Sequence, residues 1–138
     1  MRLLDTSVLV KWGDPEESGK VIPYLQNHAD EEFVTSSLVL FEFFRPTRRR
    51  NNSEQVRAWL GRALDGVELF SEEAALKAAT IEANLHRHDR TLAMRDLLIA
   101  SHARSLDATF VTFDRGDFED PAVQQLLDVD VITSVTHE

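Results

Sequence analysis

Five short apolar runs, each separated from the next by a stretch at helical spacing, constrain this chain more than any other feature. They cover residues 2–4, 32–35, 67–70, 109–112 and 129–132. Runs so short and so largely apolar suit strands buried on both faces. Connections long enough to hold a helix make neighbouring strands parallel. The pattern predicts an α/β chain, folded as a three-layer α/β/α sandwich around a parallel sheet of about five strands. With only 5 glycines and 4 prolines in 138 residues, nothing marks a linker, so a single domain over 1–138 is expected.

The connections carry helix signals. Asp5-Thr6-Ser7 follows the first run directly and is a natural capping group. Pro15-Glu16-Glu17 puts proline and acids where a first helical turn favours them, which predicts a helix over 15–28. Ser36-Ser37 caps a helix over 38–44, which Pro46 ends or kinks. Ser53 opens another, with Val56, Trp59, Leu60 and Leu64 at helical spacing, and Ser71-Glu72-Glu73 caps a long one. Two more are expected over 95–105 and 121–127.

Charge and cysteine content narrow the chemistry. Twenty-four acids against 15 bases leave a net charge of -9, which argues against broad attraction to nucleic acid. A local basic patch or a bound metal can still reverse the sign nearby. The absence of cysteine excludes disulfides, thiolate nucleophiles and Cys-ligated metal sites. No apolar run approaches the ~20 residues of a membrane span, and no leader precedes Asp5, so a soluble cytoplasmic domain with no membrane partner is expected.

The remaining signal is where the acids fall. Asp5 follows the first strand directly; Asp114 and Asp117 follow the fourth. In open parallel sheets the ligand site lies beyond the carboxyl ends of the strands, where strand order reverses. Glu42 interrupts Leu38-Val39-Leu40-Phe41 and Phe43-Phe44, so its helix is apolar almost all round and its charge requires a compensating cation. That cation is either a metal or a one-turn partner, Arg45 or Arg48. Asp96 stands three, four and seven residues before Ile99, Ala100 and Ala103, on the packed face of its helix. Gathered together, Asp5, Glu42, Asp96, Asp114 and Asp117 would repel one another unless a cation sat among them. An all-oxygen set suits a hard ion, Mg²⁺ or Mn²⁺, which can bind a phosphate, activate water and stabilise a leaving oxygen. The chemistry that follows is phosphodiester hydrolysis.

These residues resemble the PIN domain, and within it the VapC-type toxin ribonucleases. The matching segments are Leu3-Leu4-Asp5-Thr6-Ser7-Val8, Glu42 in its apolar helix, Arg95-Asp96-Leu97-Leu98-Ile99-Ala100, and 110–118, in order along essentially the whole chain. The resemblance implies a Mg²⁺- or Mn²⁺-dependent endoribonuclease that acts on RNA, forms a homodimer and is neutralised by a small VapB-like antitoxin. It carries Asp5, Glu42, Asp96 and Asp114 over as the catalytic acids. Asp5, Asp96 and Asp114 become metal ligands, with Asp117 as a variable fifth acid acting through water. Thr6 and Thr112 take an auxiliary place, holding a carboxylate or a water.

Arg45, Arg48, Arg49 and Arg50 form the only dense basic stretch and are read either as a phosphate rail for RNA or as a solvated loop. Arg87, Arg90 and Arg95 could make a second basic edge near Asp96. His86 and His88, two apart, do not share a helix face, so no zinc pair is expected. Trp12, Trp59, Phe43, Phe44 and Phe70 are assigned to the core or a dimer surface. Three alternatives remain: an RNA-processing nuclease of the same chemistry without an antitoxin, a non-catalytic interaction module on the same fold, and a phosphatase using Asp5 as nucleophile. Ser7 speaks against the last, since that pattern wants an Asp two residues on.

Overall fold

The computed structural model describes residues 1–133, except the side chain of Arg48. The five strands are β1 (Arg2–Leu4), β2 (Phe33–Ser36), β3 (Gly66–Glu68), β4 (Thr109–Thr112) and β5 (Val129–Val131). The helices are α1 (Thr6–Trp12), α2 (Ile22–Asn27), α3 (Ser37–Arg50), α4 (Ser53–Ala63), α5 (Glu72–Arg87), α6 (Met94–Ser105) and α7 (Pro121–Leu126). All strand pairings are parallel, in the order β3-β2-β1-β4-β5. β1 therefore sits in the middle, and the chain leaves it first towards β3 and later, by way of β4, towards β5. α1 and α3 pack together and α4 joins them, while α5 contacts both α6 and α7. Those two groups cover opposite faces of the sheet, as right-handed crossovers require of this strand order.

The inner strands supply the core: Leu3, Leu4, Val34, Phe110 and Val111 are all buried. Among the paired residues are Leu3 with Phe110 and Leu4 with Val111. The Asp5 N–H continues the ladder by donating to the Val111 carbonyl at 2.9 Å.

The first connection differs from the sequence expectation. α1 begins at Thr6, as the Asp5-Thr6-Ser7 capping group predicts, with Asp5 Oδ1 accepting from the Thr6 N–H at 2.8 Å, but no helix starts at Pro15. Gly13 closes α1, and the rest of the expected 15–28 helix is a 3₁₀ turn over Ser18–Lys20 followed by the short α2. The second difference concerns α3, which runs through Pro46 to Arg50. Proline lacks the N–H that would reach the Glu42 carbonyl, but Pro46 lies on the exposed side, where water can replace that bond. β3 is also shifted, ending at Glu68 and leaving Leu69 and Phe70 beyond it.

An acidic cluster at the carboxyl edge of the sheet

The reversal of strand order falls between β1 and β4, and their outgoing connections diverge there. Asp5, after β1, is 3% exposed. Its Oδ1 caps α1, and its Oδ2 accepts from Thr112 Oγ1 at 2.8 Å and Ser7 Oγ at 3.3 Å. Asp5 is thus a helix cap and a member of the cluster at once.

Glu42 reaches in from α3 on one face of the sheet. Its Oε1 accepts from Thr6 Oγ1 at 2.6 Å. Asp96 reaches in from the first turn of α6 on the other face, and Ile99, Ala100 and Ala103 of that helix are buried as the spacing predicts. Asp114 follows β4: its N–H donates to Thr112 Oγ1 at 3.1 Å, and its Oδ1 accepts from the Gly116 N–H at 3.1 Å. Asp117 opens the 3₁₀ turn Asp117–Glu119 and is exposed. Thr6 and Thr112 each hold a carboxylate, and Thr112 also orients the backbone of Asp114.

The cation among these acids is Arg95, beside Asp96. Its Nε and Nη2 donate to Glu42 Oε2 and Oε1 at 2.6 and 2.7 Å, Nη2 to Asp5 Oδ1 at 2.7 Å, and Nη1 to Asp96 Oδ1 at 2.7 Å. Nη2 also meets Thr6 Oγ1 at 3.0 Å. The one-turn partner that the spacing offered Glu42 gives way to a residue 53 positions away; the Arg45 guanidinium instead sits over the Phe41 ring at 5.2 Å. The second basic edge is likewise broken up, since Arg90 pairs with Asp120 at 2.8 Å, Arg87 donates to Asn84, and Arg95 is inside the cluster. A signal for this role was present. A cation in a helix's first turn opposes the macrodipole and needs anions nearby.

Charge follows geometry. Burial disfavours the Glu42 carboxylate, but hydrogen bonds from Arg95 and Thr6 and the Arg95 charge outweigh it and hold the carboxyl below its ordinary value. At Asp96 burial prevails over the Arg95 contact; the neighbouring Asp114 and Asp5 charges add to it, and the pKa is raised. Burial works against the Arg95 charge as well, but Glu42, Asp5 and Asp96 more than restore it.

At the open end of the cluster, Asp96, Asp114 and Asp117 each offer a carboxylate oxygen, all within 4.8 Å of one another. Three hard oxygen donors with no nitrogen or sulfur fit Mg²⁺ or Mn²⁺. Among the described residues no histidine joins such a group.

Arg45, Arg49 and Arg50 are exposed along the last turns of α3; the side chain of Arg48 lies outside the described residues. Arg50 and Glu42 both line a groove of about 670 Å³ between α1, α3 and α4, whose floor includes Val10, Phe43 and Trp59. The aromatic residues are half-buried: Trp12 lies edge-on to Trp59 at 5.3 Å, and Phe70 edge-on to His102 at 5.4 Å. Among the described residues no helix is long and apolar enough to cross a membrane.

Residues 2–124 match the PIN domain family. No curated protein matches significantly. Among solved structures, the fold is similar to VapBC2 from Rickettsia felis, bound to a promoter DNA fragment (TM-score 0.72, 24% identity, 94% of this chain and 97% of that one). It is similar to FitAcB from Neisseria gonorrhoeae (0.75, 23%, 94% and 96%). It is also similar to VapC20 from Mycobacterium tuberculosis, described as a sarcin-ricin loop cleaving toxin (0.59, 22%, 86% and 93%).

Proposed function

The chain belongs to the PIN domain family, and from that premise we propose that it is a Mg²⁺- or Mn²⁺-dependent endoribonuclease, the toxin of a VapBC-type pair. The observation that carries the reading is the convergence of Asp5, Glu42 and Asp96 on one guanidinium, with Asp114 and Asp117 against Asp96. Asp5, Glu42, Asp96 and Asp114 are the catalytic acids of this reading. Asp96, Asp114 and Asp117 hold the divalent ion, and Asp5 joins them only on release of Arg95. When bound, the ion supplies Lewis-acid chemistry for hydrolysis of a phosphodiester.

The remaining work falls to the chain's own residues. Thr112 and Ser7 fix the Asp5 carboxylate, and Thr6 fixes Glu42, so the acids keep their geometry without reorganising. Arg45, Arg48, Arg49 and Arg50 supply local positive charge for the RNA backbone on a chain of net charge -9. The groove of Val10, Phe43 and Trp59 beside Glu42 offers an apolar seat for a small antitoxin. The likeness to VapBC2 and to VapC20, described as a sarcin-ricin loop cleaving toxin, supports the toxin reading; a homodimer acting in the cytoplasm belongs to the same proposal.

The test is cleavage of structured and unstructured RNA by the purified protein with Mg²⁺, Mn²⁺ or chelator, beside Asp5→Asn. Cleavage that needs metal and is lost in the variant is expected. Cleavage that survives chelation, or no cleavage of any RNA, overturns the reading.

A further inference from the structure

The hydrogen bonds divide the acidic cluster into a saturated end and an open end. Asp5 accepts from four donors: the Thr6 N–H and Arg95 Nη2 on Oδ1, Thr112 Oγ1 and Ser7 Oγ on Oδ2. A carboxylate offers about four lone-pair sites, so Asp5 has none left for a metal. Glu42 is similarly held, with Thr6 and Arg95 on Oε1 and Arg95 on Oε2. At the other end, among the described residues, Asp96 Oδ2, Asp114 Oδ2 and the Asp117 carboxylate accept no hydrogen bond from the chain.

We propose that Arg95 is a built-in cation of the cluster, filling the position between Asp5 and Glu42 and limiting the chain to one divalent ion, at Asp96, Asp114 and Asp117. This rests on the metal-nuclease reading above and departs from the expectation that Asp5 is a ligand. The physical argument is competition for one place. The guanidinium is planar and permanently charged, and it lies 2.6–2.7 Å from oxygens of three acids. A second ion at Asp5 and Glu42 would have to displace those charge-assisted bonds and lodge beside a fixed positive charge. Arg95 also bridges α6 to α3 across the sheet edge, so it positions Asp96 relative to Asp5.

The experiment counts Mn²⁺ per chain by the loss of the free-ion electron paramagnetic resonance signal. It compares the wild-type protein with Arg95→Gln, Asp5→Asn and Asp114→Asn. One ion is expected in the wild type and two in Arg95→Gln. Asp5→Asn should weaken Mn²⁺ binding by less than about fivefold, because it removes a neighbouring charge but no ligand. Asp114→Asn should weaken it about tenfold or more. Two ions in the wild type, one in Arg95→Gln, or an Asp5→Asn loss as large as that of Asp114→Asn each overturn the inference while leaving the metal reading intact. No ion in any protein overturns both. Should Arg95→Gln fail to fold, the wild-type count and the Asp5–Asp114 comparison still decide.

Discussion

Asp114 and Asp117 lie three residues apart on one loop, yet the chain holds them differently. Asp114 is tethered twice, through its N–H to Thr112 and through Oδ1 to Gly116, whereas among the described residues the Asp117 carboxylate accepts no hydrogen bond from the chain. Water can stand in for an untethered ligand more easily than for a tethered one. Asp114→Asn should therefore nearly abolish RNA cleavage, and Asp117→Asn should recover in part at high Mn²⁺. Cleavage rates titrated against Mn²⁺ check this, and rescue of Asp114→Asn alone reverses the assignment. A second residue-scale prediction concerns His102, fully buried, with Nδ1 2.9 Å from Ser36 Oγ. Burial lowers its pKa, outweighing the Glu68 charge and a backbone contact at Leu69. The unfolded chain then binds the proton more readily, so the stability that His102 contributes is full above about pH 6.5 and declines as pH falls from there towards the depressed folded value. Chemical denaturation from pH 7.5 to 5 should show that decline, and His102→Gln should flatten it.

At the scale of elements, the site depends on how closely α6 approaches the sheet. Ala100 and Ala103 are both fully buried, and α6 contacts β2 and β4. A larger side chain there must lift the helix that carries Arg95 and Asp96. Ala103→Leu should cost about 1–3 kcal/mol of stability by overpacking. It should also depress cleavage by more than the loss of folded protein accounts for, because the first turn of α6 moves with the helix. Urea unfolding measured beside the specific activity of the folded fraction checks both. α1 shows the same dependence from the other side. Its cap is Asp5, so the residue that starts the helix also anchors the site.

Across the whole molecule, the acids of the site come from the sheet and from both helical layers, and folding brings together charges that the unfolded chain keeps apart. Arg95 offsets part of that repulsion, but burial, with the Asp114 and Asp5 charges adding to it, still holds the Asp96 carboxyl above its ordinary value. A divalent ion binding only the folded form should raise the melting temperature. At 100 times its dissociation constant it adds about 2.7 kcal/mol. Scanning calorimetry at constant ionic strength, with and without millimolar Mn²⁺, measures this. An unchanged midpoint counts against the site.

The fold class and the positions of the acids were legible in the sequence because they follow from local patterns. Short, largely apolar runs alternating with stretches at helical spacing read as interior strands, and an acid placed just after such a run emerges at the strand's carboxyl end, as Asp5 and Asp114 do. Glu42, inside an apolar helix, announced its need for a cation by the cost of burying a charge. Which cation answered was barely legible, since Arg95 stood out only as a cation in the first turn of a helix. Arg45 and Arg48 lay at the right helical spacing, and nothing local to Arg95 ties it to α3. Only the strand order, β1 beside both β2 and β4, brings α3 and α6 to the same edge and lets one guanidinium reach three acids. The start of α1 was legible because Asp5 reads as a cap, but the proline and acids at 15–17 imitate a second helix start. Propensity could not reject that imitation; in the structure α1, seated by buried Val8 and Leu9, ends at Gly13 and no helix begins at Pro15. Local chemistry thus determined which residues needed partners, and long-range packing decided which partners they found.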